Sequence, residues 1–479
     1  MNHFLRVAFA ALAPLVFAGC VSNPSADLAT LYNRSAQYDA PDRNPVVVIP
    51  GILGSRLVDP DTGRVVWGAF DGGSVNPARP ADARTLALPM REGVPLNQLA
   101  DGVAVDGALD RVNLHLLFVP VQLDAYRQIL FSLGAGGYID QQLVESGAMP
   151  VDYGDDHFTC FQFAYDWRRD NVENAQRLHA YLLDRKAYVM AEYAKRYGGS
   201  PEDYADVRFD LVAHSMGGLI ARYLLRYGDA DVLAADTPPQ PTWAGAELID
   251  RLVVVCTPNA GSALAFTQLA WGYQPARFLP DYPPALIGTF PSVYQLLPRA
   301  RHAALVDANT GDPIDPIDPD VWLTNQWGLL NPNQVEVLAD LLPDAPDNDA
   351  RLAIAVDHLT KSLTRAQRFQ AALDRPAVPP PGTTIHAFIG DAEATPRSLA
   401  FDPATGQITF AQHAPGDGTV ARYSVLLDER QAVDTPWQPR LVSPIDWSTV
   451  TFLFENHLGL TQSAEFTDNL LYLLLESPR

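Results

Sequence analysis

The strongest chemical signal in the sequence is a serine between an apolar run and a helical segment. Ser215 ends the run FDLVAHS (209–215), and a helical pattern continues over 217–227. A turn this tight needs small residues two positions before and after the serine, which Ala213 and Gly217 provide. This context is that of a nucleophile elbow, which lifts the hydroxyl above a sheet at the positive end of the next helix. The pattern predicts a nucleophilic serine, and a structural serine in an ordinary turn is the alternative.

A serine hydroxyl becomes a good nucleophile only when a histidine takes its proton and a carboxylate orients that histidine. The histidines that follow Ser215 are His302, His358, His386, His413 and His457. In the α/β-hydrolase fold the chain order is serine, acid, histidine. His457 lies in a loop before the last predicted helix, where this fold carries its base. His413 is the rival, but it precedes the best acid, and His386 lies inside a predicted strand.

Asp417 is the acid that spacing favours. It lies in the string PGDGTV (415–420), after the predicted strand QITFA (407–411). Flanking glycines let the backbone turn sharply and aim the carboxylate inward. Asp391, which follows the run TIHAFIG (384–390), is the alternative acid, and spacing alone leaves both open.

An oxyanion intermediate needs two backbone amides as hydrogen-bond donors. One should be the amide of Met216, directly after the nucleophile, and the other should come from the loop after an early strand. The segment VVVIPGILGS (46–55) supplies such a loop, because Pro50-Gly51 ends the strand and Gly54 permits a tight bend. A generic strand-to-helix turn is the alternative interpretation.

The elements that must position these residues are continuous apolar runs separated by helical segments. Runs without alternation indicate strands buried on both faces of a parallel sheet. The strand-like runs are 46–49, 161–167, 209–215, 252–256 and 384–390, and the clearest helical segments are 172–196 and 217–227. The pattern predicts an α/β-hydrolase fold with a mostly parallel central sheet over residues 45–479.

Two long segments exceed what such a core needs. Residues 58–150 contain an apolar stretch and aromatics that look exposed, Trp67 and Phe70. Residues 262–380 are rich in proline and tryptophan. Insertions of this size above a hydrolase sheet usually form a cap or lid over the site, although decoration or a dimer contact would also fit.

Composition excludes one class of partner. The chain has 479 residues, of which 47% are hydrophobic and 19% charged, as in a globular protein. Its formal net charge of −22 argues against nucleic acid and against attraction to anionic head groups. Any membrane attachment should therefore come from apolar surface or from an anchor.

The N-terminus resembles a bacterial lipoprotein signal. Residues 1–20 contain Arg6 and then an apolar run over 7–17, which is far shorter than the ~20 residues that span a bilayer. The run ends in small residues and Cys20, which predicts cleavage and lipid attachment at this cysteine. Residues 21–44 would then be a tether in a bacterial cell envelope, at the outer membrane. An ordinary secreted protein is the alternative.

Several separated segments resemble the lecithin:cholesterol acyltransferase family, which includes lysosomal phospholipases and phospholipid:diacylglycerol acyltransferases. They occur in the family's order and span roughly residues 45–475. The segments are VVVIPGILGS, Phe163 to Arg168, AHSMGG, FPSVYQLLP (290–298), GDAEATPRSL (390–399) with PGDGTV, and NHLGL (456–460). Two departures are Ala213, where the family usually has glycine, and the lack of cysteines for its disulfides. Cys160 and Cys256 lie in apolar runs and are expected to be buried free thiols.

The resemblance implies several assignments that the residues alone leave open. It places Asp417 ahead of Asp391 as the acid, and it implies Leu53 as the second oxyanion donor, with Ile52 as the fallback. It also implies a mobile lid, a membrane-facing subdomain within 58–150, and a structural ion pair in the Tyr-Asp-Trp-Arg stretch.

The expected function is therefore a serine-dependent lipid acyl ester hydrolase or acyltransferase that acts on glycerophospholipids. The expected partners are a lipid substrate and a membrane surface, with no metal or other cofactor. An esterase for other esters and a non-catalytic lipid-binding lipoprotein are the alternatives.

Overall fold

The computed structural model describes residues 27–70, 73–109, 111–116, 119–124, 126–147, 157–231, 239–274, 280–431 and 440–476. Cys20 and the predicted signal peptide lie outside these residues. In the described part of the chain, no helix combines the length and apolarity needed to cross a bilayer.

Six parallel strands form the central sheet. They are β1 (Val46–Ile49), β2 (Cys160–Gln162), β3 (Phe209–His214), β4 (Ile249–Val255), β5 (Thr384–Gly390) and β6 (Thr449–Leu453). Their order across the sheet is β6-β5-β4-β3-β1-β2, and every neighbouring pair is parallel. All residues of β1 to β4 are buried, as continuous apolar runs predict. The predicted parallel α/β sheet is confirmed.

Five of the described helices are labelled here. They are α1 (Asn171–Tyr197), α2 (Met216–Tyr227), α3 (Ala263–Trp271), α4 (Asn348–Asp374) and α5 (Ala464–Leu475). The side chain of Asp170 caps the N-terminus of α1, which ends before Gly198, a glycine at φ +87°. Every residue of α2 is buried, so the helix that follows Ser215 is enclosed by protein on all sides.

Shorter elements complete the described chain. The short α-helices are Leu28–Leu31, Asn33–Ala36, Pro80–Leu86, Arg127–Ala135, Gln141–Glu145, Pro284–Ile287, Pro291–Tyr294, Pro319–Asn325, Val335–Leu341 and Arg422–Leu426. The 3₁₀ turns are Leu96–Gln98, Pro201–Tyr204, Ala244–Glu247, Ala300–His302, Gly328–Leu330, Pro332–Gln334, Glu429–Gln431 and Gly459–Gln462.

Among the described residues, three small sheets lie outside the central one. Ser55–Val58 pairs with Val65–Trp67 and Ala104–Ala108. Arg111–Leu116 pairs with Ala69–Phe70 and Val119–Asp124. Glu393–Asp402 pairs with Leu305–Asp307 and, as an antiparallel hairpin, with Gln407–Gly416. The hairpin leads directly into Asp417, so it connects a strand end of the sheet to the predicted acid.

Alternate residues of β1 enter two separate hydrophobic layers. Val47 and Ile49 join a large cluster with residues of α1, α2 and α4, whereas Val46 and Val48 join a smaller cluster with α5 and Arg127–Ala135. This alternation is the two-residue period of a strand. The result is a three-layer arrangement with helices on both faces of the sheet.

Both long insertions contribute to the large cluster, and one sequence expectation about them is wrong. Trp67 looked exposed in the sequence but is only 8% exposed, since its ring packs against Trp167 and Tyr282. Its indole nitrogen donates to the carbonyl of Leu53 at 2.8 Å. An indole that packs on two aromatic rings and finds an acceptor is stable inside the protein. The side chain of Phe70 lies outside the described residues.

The expected ion pair in the Tyr-Asp-Trp-Arg stretch is present. The guanidinium of Arg168 is fully buried between Asp166, at 2.7 Å, and Asp101, at 2.8 Å. Asp166 comes from the same stretch, whereas Asp101 comes from the first insertion. The two carboxylates compensate the cost of burying the cation, so this cluster ties the insertion to the sheet.

Candidate active site

The turn between β3 and α2 carries Ser215 in a rare backbone conformation. Its φ is +51° and its ψ is −126°, a region that residues with a side chain seldom occupy. The turn is packed so closely that a Cβ on Gly217 would overlap the carbonyl oxygen of Pro50, while a Cβ on Gly218 would overlap the hydroxyl of Thr257. Ala213 is fully buried beneath the turn. These contacts are the physical reason for the small residues around the serine.

The structure brings together the three side chains that the sequence nominates. Nε2 of His457 lies 3.1 Å from Oγ of Ser215, and Nδ1 of His457 lies 2.7 Å from Oδ2 of Asp417. Because the carboxylate can only accept, Nδ1 carries the proton and Nε2 is free to accept one from the serine. The three residues thus form one hydrogen-bonded chain, with the geometry needed for general-base activation of a hydroxyl.

Backbone contacts hold Asp417 in this position. Its second carboxylate oxygen accepts from the amides of Thr419, at 2.9 Å, and Val420, at 2.6 Å. The amide of His457 also donates to the carbonyl of Asp417 at 2.9 Å. Burial alone would raise the pKa of Asp417, but His457 and the two amides outweigh burial and hold that pKa below its ordinary value. The carboxylate is therefore ionised wherever the protein is folded near neutral pH.

The rival residues lie elsewhere. Asp391 accepts from Arg422 at 2.9 Å in an ion pair. His413 is exposed on the hairpin strand, opposite Pro396. The ring of His386, in β5, lies between the hydroxyls of Thr384 and Thr449, as expected for a core histidine.

The loop after β1, residues 50–54, is called the oxyanion loop below. Leu53 has φ +63°, and its carbonyl accepts from Trp67. The carbonyl of Pro50 accepts from the hydroxyl of Tyr165 at 2.9 Å. Ile52 and Leu53 line the same pocket as Ser215, and Met216 begins α2, where helix amides have no partner within the helix. Both predicted donors, and the fallback Ile52, therefore lie beside the serine.

The pocket above Ser215 is apolar. The described residues that line it are Ile52, Leu53, Trp67, Trp167, Ser215, Pro258, Ser262, Leu264, Ala265, Gln268, Tyr273, Tyr282, Ile287, Phe290, Val293, Leu296, Thr419 and Val420. No charged side chain is among them. The second insertion supplies most of the wall and the first contributes Trp67, so segments outside the minimal core shape the space into which a substrate would enter.

Cys256 lies beneath Asp417 and adds the donor types of a metal site. Ligand atoms of Cys256, Asp417 and His457 lie within 4.8 Å of one another. Metal binding would require a thiolate, and burial together with Asp417 raises the pKa of the Cys256 thiol well above its ordinary value. Because Asp417 and His457 are already bonded to each other, the arrangement favours an acid–histidine pair. Cys256 and Cys160 are buried free thiols, as expected.

Two residues beside the site, Tyr126 and His214, were not predicted from the sequence. The hydroxyl of Tyr126 and the ring of His214 are bonded to each other and to the site's backbone. His214 could have been noticed because it precedes the serine. Nothing local in the sequence marks Tyr126, which comes from the first insertion.

A parallel sheet in this strand order, with a serine on a strained strand–helix turn and the acid and histidine on loops after later strands, defines an α/β-hydrolase. The fold of a chain in the crystal structure of the Tle4–Tli4 complex is similar, with a TM-score of 0.53. That likeness covers 90% of this chain and 98% of the other at 16% identity, which shows the fold alone.

Within this class, residues 145–327 match the family model described as lecithin:cholesterol acyltransferase. The chain is also 25% identical over 215 residues to lecithin-cholesterol acyltransferase-like 4 of Arabidopsis thaliana. That match covers 41% of this chain and 33% of the relative, so it spans about a third of the relative's length. The resemblance to the lecithin:cholesterol acyltransferase family is confirmed.

Proposed function

We propose that this protein is a serine-dependent acyl hydrolase or acyltransferase for lipid esters. The observation that carries the proposal is the hydrogen-bonded chain Asp417–His457–Ser215 at the floor of an apolar pocket. An uncharged wall suits a fatty acyl chain, while a charged head group would remain outside. Glycerophospholipids are the proposed substrates because the matched family is named for acyl transfer from lecithin.

The proposed reaction has two steps. Oγ of Ser215 attacks the ester carbonyl as Nε2 of His457 takes the hydroxyl proton, and the amides of Leu53 and Met216 stabilise the oxyanion. The ester bond then breaks, the leaving alcohol receives the proton from His457, and the acyl group remains on Ser215. Water or a lipid alcohol, deprotonated by the same histidine, finally attacks the acyl-enzyme. The bond between the acyl carbon and Oγ of Ser215 then breaks, Oγ takes the proton back from His457, and a fatty acid or a new ester is released. Asp417 stabilises the charged imidazole in both steps.

The first experiment asks whether the protein is an enzyme. A fluorescent fluorophosphonate should label the wild-type protein covalently, and Ser215→Ala should abolish both labelling and ester hydrolysis. Ser262→Ala, which changes another serine of the pocket, is the matched control and should still be labelled. Absence of labelling in the folded wild-type protein would favour a binding protein over an enzyme.

The second experiment identifies the reaction. A phosphatidylcholine with a labelled acyl chain should release labelled fatty acid, or transfer the label to an added sterol or diacylglycerol. Turnover of only short water-soluble esters, with none of the phospholipid, would contradict the proposed substrate.

The proposed location is the bacterial cell envelope, through acyl chains on Cys20. Two or more chains give firm anchoring because each buried methylene contributes about 0.8 kcal/mol. Cells fed an alkyne fatty acid should label the wild-type protein and not Cys20→Ser. Equal release of both proteins into the medium would contradict this anchor.

A further inference from the structure

Tyr126 and His214 connect three parts of the site. The amide of Gly51, in the oxyanion loop, donates to the hydroxyl of Tyr126 at 2.8 Å. That hydroxyl lies 3.1 Å from Nδ1 of His214, and Nε2 of His214 lies 3.0 Å from the backbone carbonyl of His457. His214 directly precedes Ser215. The oxyanion loop, the nucleophile turn and the base loop are therefore joined by three consecutive hydrogen bonds.

Only one arrangement of protons satisfies this chain. The carbonyl of His457 can only accept, so Nε2 of His214 carries a proton. The hydroxyl of Tyr126 already accepts from Gly51, and its single proton then points to Nδ1 of a neutral His214. Burial, followed by the nearby His457, lowers the pKa of His214 to about 3, so this ring is neutral at neutral pH.

The oxyanion loop is shaped to receive Tyr126. A Cβ on Gly54 would lie 2.7 Å from Cε2 of Tyr126, and a Cβ on Gly51 would lie 3.2 Å from its hydroxyl. Tyr126 is 4% exposed and packs edge-on against His214 at 5.5 Å between ring centroids. The loop's glycines thus let the tyrosine approach its backbone.

Hydrogen bonds hold the backbone of His457 at both its amide and its carbonyl. Its amide donates to the carbonyl of Asp417 at 2.9 Å, and its carbonyl accepts from His214. The loop from Glu455 to Leu458 has no regular strand or helix to fix it before the 3₁₀ turn begins at Gly459. The contact from His214 therefore opposes movement of the imidazole away from Ser215.

We infer that Tyr126 and His214 are positioning residues, which align the base loop and the oxyanion loop with the nucleophile through the hydrogen bonds Gly51–Tyr126–His214–His457. The inference rests on the proposed function. It also makes the first insertion part of the catalytic framework, since Tyr126 lies in that segment.

The test separates the two hydrogen bonds of His214. His214→Gln places an amide NH₂ near the position of Nε2 and keeps a donor for the carbonyl of His457. His214→Asn places its amide near Nδ1 and loses that donor. With a short-chain p-nitrophenyl ester, H214N and Tyr126→Phe should each lower kcat by about tenfold to a hundredfold and leave KM unchanged, because each leaves a buried polar group unpaired. H214Q should recover most of the rate.

The controls are His386→Gln, in a buried histidine of β5, and Tyr294→Phe, in a buried tyrosine that donates to Gly288. Both should keep the wild-type kcat. Melting temperatures identify any variant that fails to fold, and if Y126F does so, the comparison of H214N with H214Q decides the matter. The inference would be overturned by wild-type kcat in both Y126F and H214N, or by equal losses of kcat in H214N and H214Q. In either case, fluorophosphonate labelling of Ser215 would still support the proposed function. A wild-type protein that is neither labelled nor active would refute the proposed function itself.

Discussion

Two acid–histidine pairs of the described chain look alike in isolation and differ in their surroundings. Nδ1 of His457 lies 2.7 Å from Oδ2 of Asp417, and Nε2 of His457 faces Oγ of Ser215 in the pocket. Glu429 and His302 are 3.2 Å apart, and no hydrogen-bonding partner among the described residues faces Nδ1 of His302. Of these two pairs, only the first has a serine hydroxyl and an apolar pocket beside it.

The arginines around the second pair account for its character. Arg301 bridges Glu429, at 2.7 Å, and Asp374, at 2.8 Å, and Arg299 completes the cluster with Asp374. The carboxylate of Glu429 is thus shared between His302 and a guanidinium. This cluster joins the end of α4 to the 3₁₀ turn that contains Glu429. The comparison teaches that an acid beside a histidine indicates catalysis only where the histidine's other nitrogen meets a nucleophile.

The largest loss of activity is expected when the pair of Asp417 and His457 is broken. Asp417→Asn should lower kcat by about 10⁴-fold, because an amide no longer enforces the correct imidazole tautomer or stabilises its charged form. The matched control is Asp391→Asn, in the rival acid, which should retain most activity. Steady-state hydrolysis of a p-nitrophenyl ester measures both variants. A severe loss in D391N with a mild one in D417N would reverse the assignment of the acid.

A smaller loss of activity is expected when the oxyanion loop, which packs against Ser215, is displaced. A Cβ at Gly51 would lie 2.7 Å from Cβ of Ser215, so Gly51→Ala should displace the oxyanion loop. Loss of one oxyanion donor typically lowers kcat by about 10²- to 10³-fold. Gly102→Ala is the control, since a Cβ there meets nothing within 4 Å. Equal activity of G51A and the wild-type protein would show that the loop takes no part in the reaction.

The smallest effect on activity is expected at the second pair. Glu429→Gln should keep the wild-type kcat but lower the melting temperature at pH 7 by a few degrees, because it removes the partner of Arg301 and His302. Glu336→Gln, in an exposed glutamate, should leave both quantities unchanged. A loss of kcat in E429Q at a temperature where the protein stays folded would mean that the two pairs are not functionally distinct.

The second pair also gives a pH dependence of stability. Burial by itself would raise the pKa of Glu429, but hydrogen bonds from His302 and Arg301 outweigh burial and lower that pKa to about 2. A carboxyl whose pKa is lower in the folded state stabilises the fold above its unfolded pKa of 4.5, and this contribution falls as the pH drops from there toward 2. The difference in melting temperature between wild-type protein and E429Q should therefore narrow below pH 4.5. A constant difference down to pH 3 would contradict the lowered pKa.

The elements that the sequence predicted well are those governed by local rules. The run at β5 and the helix α2 appear within one residue of their predicted bounds, because continuous apolar runs and helical periodicity are local patterns. The run at 161–167 forms a strand only over Cys160–Gln162. The amide of Phe163 still donates to Val48 of β1, but the amide of Tyr165 donates to the hydroxyl of Ser55, so the chain has left the sheet there. Strand β6 was not predicted, because it lies at the sheet's edge, is largely exposed, and lacks a continuous apolar run.

For the candidate site, the sequence by itself determined the nucleophile turn and the order of serine, acid and histidine. The small residues around Ser215 lie next to it in the chain, so the pattern is visible in the sequence even though the atoms that crowd them belong to Pro50 and Thr257. The choice between Asp417 and Asp391 needed the fold, because both follow strands and only their partners differ.

Tertiary structure alone decided which distant residues support that site. Tyr126 is 88 positions from His214, and His214 is 243 positions from His457, so no local pattern relates them. The same holds for Trp67, which is buried because aromatic partners from two other segments surround it. Local backbone requirements leave a trace in a short stretch of residues, whereas contacts between remote segments exist only once the sheet and its insertions have packed together.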